Sequence, residues 1–343
     1  MKKLFLLLLL CVSPAFAQYK IAGPVCDPIT GCPAAITLAK FGQHEAFWIS
    51  DGKTKALVVP ALGRVMNYSE LNGDNWLWNA ELKNGKPPVG DWPNWGGDKT
   101  WIGPQSQWPQ LFGKKWPPFE GTPFSAEVVS GGKLHTVSEV SPQTGARIIR
   151  DYWHDDKTGD FIIQQSIEQI KGAPFSASIW SVSQVALPDA VFIPLDPNSA
   201  YENHFSWMDK GNGQAKWKAT ETLLTVRPTL TGSFKIGADA PVSSIAAVKD
   251  GVAFVQKTAR PDGDYPDGAT IADAKGAGFP VELYNGGTKN APYVEMELLS
   301  PLRAYHRGAR WIHTMRWRLH QLPLHDVESE AVQSEVERLL TEK

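Results

Sequence analysis

The sequence predicts an all-β protein, a large antiparallel sandwich, on three observations. Short runs rich in β-branched and aromatic residues recur along the chain, each bounded by Gly, Pro, Asn or Asp. Helical periodicity is scarce until the last residues. No composition break or Ser/Pro-rich linker divides the 343 residues, which suits one large β domain.

The elements follow in order. Residues 1–17 read as a secretory leader: Lys2 and Lys3 form its basic start, Leu4 to Val12 an apolar run too short to span a bilayer, and Ala15-Phe16-Ala17 a small-residue cleavage site. Cys11 does not make it a lipoprotein signal, because Leu10 precedes it where a small residue is needed. A mature chain from Gln18, about 326 residues, secreted and periplasmic, is expected. It keeps two cysteines, Cys26 and Cys32, in an N-terminal segment over 18–40. The five intervening residues are turn-like, so a small disulfide loop is expected in an oxidising compartment. No metal site is expected, since two thiols without a nearby His make a poor zinc set.

Strand runs follow at 46–50, 56–59, 65–71, 124–129, 135–140, 146–154, 161–170, 175–187, 223–228, 243–249, 252–257, 281–284, 292–299 and 311–319, within a domain over 41–325. The tail 326–343 differs. Val327, Ala331, Val332, Val336, Leu339 and Leu340 fall at roughly helical spacing after Asp326, which is read as the N-cap of one terminal helix.

Charge narrows the function. The formal net charge of −2 becomes about −4 once Lys2 and Lys3 leave with the leader. There is no basic run, so neither nucleic acid nor an anionic membrane surface is expected as partner. No stretch after the leader is apolar enough to span a membrane.

Seven of the 14 tryptophans fall between Trp76 and Trp116, five of them in the stretch Trp92–Pro118. That stretch has no helical or strand period and reads mainly as an ordered loop. Indole rings are costly to leave in water, so this loop must pack on the core or on a ligand with flat apolar faces.

The order of motifs resembles the galactose-mutarotase-like superfamily, a β-supersandwich found in aldose epimerases. Leu57-Val58-Val59-Pro60-Ala61-Leu62-Gly63-Arg64-Val65 is similar to its first hairpin. The run Gly96-Gly97-Asp98-Lys99-Thr100-Trp101-Ile102-Gly103-Pro104-Gln105 resembles the signature of a secreted, uncharacterised branch. So do Lys235-Ile236-Gly237, Tyr265-Pro266-Asp267-Gly268, Val281-Glu282-Leu283-Tyr284 and Tyr293-Val294-Glu295-Met296-Glu297.

The resemblance implies a sugar site with a Glu general base on a late strand. Glu295 and Glu297 stand two apart on a strand and so share a face with Tyr293. Adjacent carboxylates repel, which raises at least one pKa, and that cost suggests a task. Glu295 matches the base best. The resemblance also implies a His acid, which Asn203-His204-Phe205 partly echoes; by chain order Gln184 is the other counterpart, but an amide cannot donate as an acid. Asp98, Lys99, Gln105 and Arg64 are candidates to bind hydroxyls, and Trp101 to stack on a sugar ring. The expectation is a carbohydrate-recognising protein, an aldose-epimerase-like enzyme acting on a mono- or oligosaccharide, with no cofactor, as a monomer. A non-catalytic sugar-binding protein on the same face is the second reading and a two-carboxylate glycoside hydrolase the third.

Overall fold

The computed structural model describes residues 20–21, 35–81, 93–113, 119–212, 215–267 and 278–342. The leader, Cys26, Cys32, Trp92, Trp116 and the Pro117-Pro118 pair lie outside them.

Two 11-stranded sheets face each other. The site sheet runs, edge to edge, through Ser206–Asp209, Phe234–Ala238, Val281–Asn285, Tyr293–Leu299, Phe175–Ala186, Asp98–Gly103, Arg64–Glu70, Thr54–Val59, His44–Ser50 and Ala35–Phe41, while Arg303–Tyr305 pairs with the start of Phe175–Ala186. The cover sheet runs through Lys20–Ile21, Phe124–Val129, Lys133–Ser138, Ala146–His154, Phe161–Gln169, Arg310–Gln321, Val252–Thr258, Ser243–Lys249, Ala190–Pro194, Leu223–Arg227 and Lys216–Ala219. Pairing between these strands is antiparallel, except for Lys20–Ile21 alongside Glu127–Val128. The all-β sandwich expectation therefore holds.

Period-2 alternation sets what each sheet buries. Phe234, Ile236, Val281, Leu283, Val294, Met296 and Leu298 of the site sheet point inward and meet Phe161, Ile163, Val191, Phe254, Met315 and Trp317 of the cover sheet. A polar seam crosses the same interior. Asp98 pairs with Arg150 and accepts a hydrogen bond from Ser183 Oγ at 2.8 Å, and Gln256 Nε2 donates to Ser183 Oγ at 2.9 Å. Buried charge is tolerable here because each group finds a partner.

The terminal helix, Glu330–Thr341, lays Val332, Val336, Leu339 and Leu340 on the outer face of the cover sheet, against Phe192, Val248 and Val255. Its N-cap is Ser329, whose side chain accepts from Val332 N, not Asp326. Asp326 instead closes the preceding turn by accepting from Glu328 N at 3.0 Å. No described helix is long and apolar enough to cross a membrane.

The Trp-rich stretch corrects the loop reading. Asp98–Gly103 is a strand in the middle of the site sheet, followed by a helical turn over Gln105–Phe112. Its sequence hides this because all six strand residues are buried, on both faces, so no alternation of polarity marks it.

Candidate functional site

The outward face of the site sheet carries a cleft of about 530 Å³, lined by Trp101, Gln105, Trp108, Trp180, Asp209, Lys235, Tyr284, Tyr293, Glu295 and Glu297. Register explains how residues so distant in sequence converge. One row across the sheet reads Lys235, Tyr284, Glu295, Gln184; the next reads Glu282, Glu297, Val182, Lys99. Residues directly opposed in neighbouring strands point the same way, so both rows face outward.

Gly96 and Gly97 bring the chain into this sheet. Both have left-handed backbones, φ 87° and 72°, and a Cβ at Gly96 would sit 2.2 Å from Trp78 O, one at Gly97 2.3 Å from Val65 O. Only glycine fits such an approach. The hydrogen bonds Gly97 N to Trp78 O (2.8 Å) and Gln184 N to Gly97 O (3.0 Å) then lock the register that places Lys99 and Trp101 outward.

Glu295 is held from two sides. Lys99 Nζ lies 3.4 Å from its Oε1, and Gln184 Nε2 donates to the same oxygen at 2.9 Å. Burial pushes the Lys99 ammonium down to about 8 while Glu295 pulls the other way. Glu297 accepts from Trp180 Nε1 at 2.9 Å and from Lys235 Nζ at 3.0 Å, through Oε2. Lys235 also reaches Glu282 Oε2 at 2.6 Å. Burial would lower Lys235, but the charges of Glu282 and Glu297 outweigh it and hold its pKa above the usual ammonium value. Both glutamates are raised above the usual carboxyl range, by burial first and also by the negative charge of neighbouring carboxylates.

Three indoles wall one side. Trp101 meets Trp108 and Trp180 edge to face, each with centroids 5.2 Å apart. Lys99 Nζ sits 4.4 Å from the Trp101 ring and Lys235 Nζ 4.6 Å from the Trp180 ring. Trp101 Nε1 donates to Glu120 at 2.7 Å and Trp108 Nε1 to Ile102 O at 2.6 Å, so the indole N–H groups are spent inside the protein and the rings remain as surfaces. Tyr293 packs on Trp78, with centroids 4.6 Å apart, and receives Asn94 Nδ2 at 3.0 Å.

The residues singled out in the sequence thus separate. Glu295, Glu297, Trp101, Gln105 and Tyr293 come together at the cleft, with Lys99 and Gln184 bound to Glu295. Asp98 does not: it is fully buried on the opposite, inward face, because adjacent strand residues point opposite ways. Arg64 lies beneath the surface, paired with Glu120 and donating to Gly96 O at 2.5 Å. His204 sits in a turn at φ 61° and is not among the lining residues. Lys235, Glu282, Tyr284, Trp180, Trp108 and Asp209 were missed as site residues. For Glu282 and Tyr284 the signal was present: VELYN alternates as YVEMELL does, and the same period-2 argument applied there would have found them.

Comparison with solved structures decides the fold. The chain matches a galactose mutarotase-like protein from Lactobacillus casei with a TM-score of 0.54 at 10% identity, covering 80% of this chain and 100% of that one. This is the galactose-mutarotase-like fold. A galactose mutarotase-like protein from Clostridium acetobutylicum matches with a TM-score of 0.53 at 10% identity, over 84% of this chain and 99% of that one. A TPR-domain containing protein from Parabacteroides distasonis matches at 14% identity and a TM-score of 0.50 over 84% of this chain, which spans about half, 49%, of that longer chain. No family model and no curated protein matches. Within the galactose-mutarotase-like fold of this chain, the cleft lies on the outer face of the sheet that carries Glu295.

Proposed function

We propose that the cleft binds a sugar and that Glu295 acts there as the general base of an aldose-epimerase-like ring opening. The observation that carries this reading is Glu295 itself. It is a carboxylate held by an ammonium and an amide beside a wall of indole rings, in a cleft sized for a sugar. Lys99 and Gln184 fix its orientation, as a positioned base requires. The indoles offer flat apolar faces to a pyranose, and Gln105 and Tyr284 offer hydrogen bonds to hydroxyls.

In the reaction Glu295 takes the proton of the anomeric hydroxyl. A second group gives a proton to the ring oxygen as the C1–O bond breaks. The open-chain aldehyde turns about C1–C2 and closes on its other face, and the protons return. The sequence offered His204 as the donor; its place away from the cleft lining leaves that role to another group.

Glu295→Gln keeps shape and hydrogen bonds but cannot take a proton. It is expected to slow anomeric exchange about 10²–10⁴-fold, measured by NMR exchange or polarimetry on a panel of sugars, with sugar affinity retained by calorimetry. Normal exchange in this variant would remove Glu295 from the chemistry. Affinity without exchange in the unaltered protein would turn the reading to a sugar-binding protein. Export belongs to the same proposal, and a mature N-terminus at Gln18 in a periplasmic fraction is its check.

A further inference from the structure

Glu282 and Glu297 face each other directly across neighbouring strands, and both are fully buried. Like charges at directly opposed strand positions repel, and burial magnifies the cost. One ammonium, Lys235, serves both, at 2.6 Å and 3.0 Å. Glu297 Oε1 and Glu282 Oε1 are buried with no hydrogen-bond donor among the described residues.

A charge census sharpens this. Among the described residues near the pair, Arg64 is bridged to Glu120 and Lys99 to Glu295, and on the inward face Arg150 is bridged to Asp98. Lys235 is bridged to two carboxylates. The set therefore carries one more carboxylate than it has cations, and a single proton would remove both the excess charge and the orphaned acceptors. The charged groups that face the pair are Lys235 on the adjoining strand, Glu295 on the same strand, Asp267 from the preceding loop and, across Val182, Lys99; Glu295 and Asp267 add negative charge and favour a retained proton, while Lys99 acts the other way.

We infer that Glu282 and Glu297 share one proton at neutral pH, and that this pair is the acid that protonates the sugar ring oxygen opposite Glu295. The inference rests on the epimerase reading for its second half only. Glu297 lines the cleft, and Glu282 stands behind it as the partner that keeps the proton in place. In the forward step Glu295 gains the anomeric proton, the Glu297 carboxyl gives its proton to the ring oxygen, and the C1–O bond breaks. The pair is then a dianion opposite Lys235, which stabilises it until ring closure returns the proton. No cofactor or co-reactant enters. The two roles fall on residues two apart in one strand, about 7 Å along its axis. Base and acid are told apart by partners: one carboxyl has a cation to itself, the other shares one.

The test separates the halves. With ¹³C-carboxyl-labelled glutamate, infrared difference spectra at pH 7 are expected to show one protonated glutamic carbonyl band in the unaltered protein. That band should vanish in Glu282→Gln and in Glu297→Gln, since either variant leaves one carboxylate for one ammonium. No such band in the unaltered protein would overturn the shared proton, whatever the sugar chemistry, and needs no variant to fold. For the acid role, Glu282→Gln is expected to lower kcat for anomeric exchange about 10²-fold with KM changed only a few-fold, because its amide still donates to Glu297 but holds it ionised. Exchange at the unaltered rate in Glu282→Gln, with the band gone, would overturn the acid role. An unaltered protein that shows the band and binds sugar without exchange would end the epimerase reading and the acid's task together, leaving the shared proton standing.

Discussion

Replacing Lys99 by Met tests whether the Lys99–Glu295 pair holds the proposed base, and its magnitude can be worked out in advance. At the observed 3.4 Å, two unit charges in an effective dielectric of about 20 attract by about 5 kcal/mol. The attraction is not a net gain for the lysine. Burial drives its pKa from 10.5 down to about 8, so the ammonium gives up about 3 kcal/mol more to desolvation than Glu295 returns. Lys99→Met removes that cost together with the attraction, and the cation–π contact with Trp101 as well. What remains is Glu295 buried with only the Gln184 amide on it. Stranding a buried charge costs about 3–5 kcal/mol, and the discarded desolvation places the expected loss near the lower figure. In Lys99→Met/Glu295→Gln there is no stranded charge, so about 2 kcal/mol should return. Urea unfolding of the four proteins at pH 7 gives the cycle, with the Trp101 contribution cancelling because it is lost in both backgrounds. Additivity of the two single changes to within about 0.5 kcal/mol would refute the coupling and with it the claim that Lys99 holds the base.

Two further outcomes follow from the same geometry. Gly96→Ala puts a Cβ 2.2 Å from Trp78 O at φ 87°, so unfolding free energy should fall by about 1–3 kcal/mol or more and sugar affinity should fall with it; unchanged affinity in calorimetry would separate the glycine turn from the site. His313 is buried and pushed down to about 4 by desolvation, whereas in the unfolded chain it titrates near 6.5. Below pH 6.5 the unfolded state therefore binds more protons, and stability should decline as pH falls towards 4. His313→Gln should remove up to about 3 kcal/mol of that decline in pH-dependent denaturation; an identical acid limb would show that His313 is not held neutral.

The sandwich was legible because its cause is local. Strands such as Phe124–Val129 and Ala146–His154 write their burial in alternating residues, and the observed bounds match those read from sequence. The glutamate strand was legible for the same reason: Tyr293, Glu295 and Glu297 interrupt an otherwise apolar run at every second place. Asp98–Gly103 was not, because burial on both faces erases the alternation. Reading it as a loop grouped Asp98 with Lys99, although a strand sends them to opposite sides of the sheet. Lys235 escaped for a different reason. It is a single charge in a short strand, and what gives it meaning is register with strands far along the chain, which no local window contains. His204 shows the converse error, where a short motif outweighed the absence of any strand to carry it into the sheet.

Val182 stands in the row between Glu297 and Lys99, an apolar side chain at the centre of a charged floor. Along that row it keeps Lys99 apart from Glu297. On one side Lys99 and Glu295 form a closed pair; on the other Lys235 serves Glu297 and Glu282. A polar residue at 182 would offer Lys99 and Glu297 a new partner and open the pairing of Lys99 with Glu295 to exchange. The valine, with no chemistry of its own, keeps Lys99 and Glu297 from exchanging partners along the row.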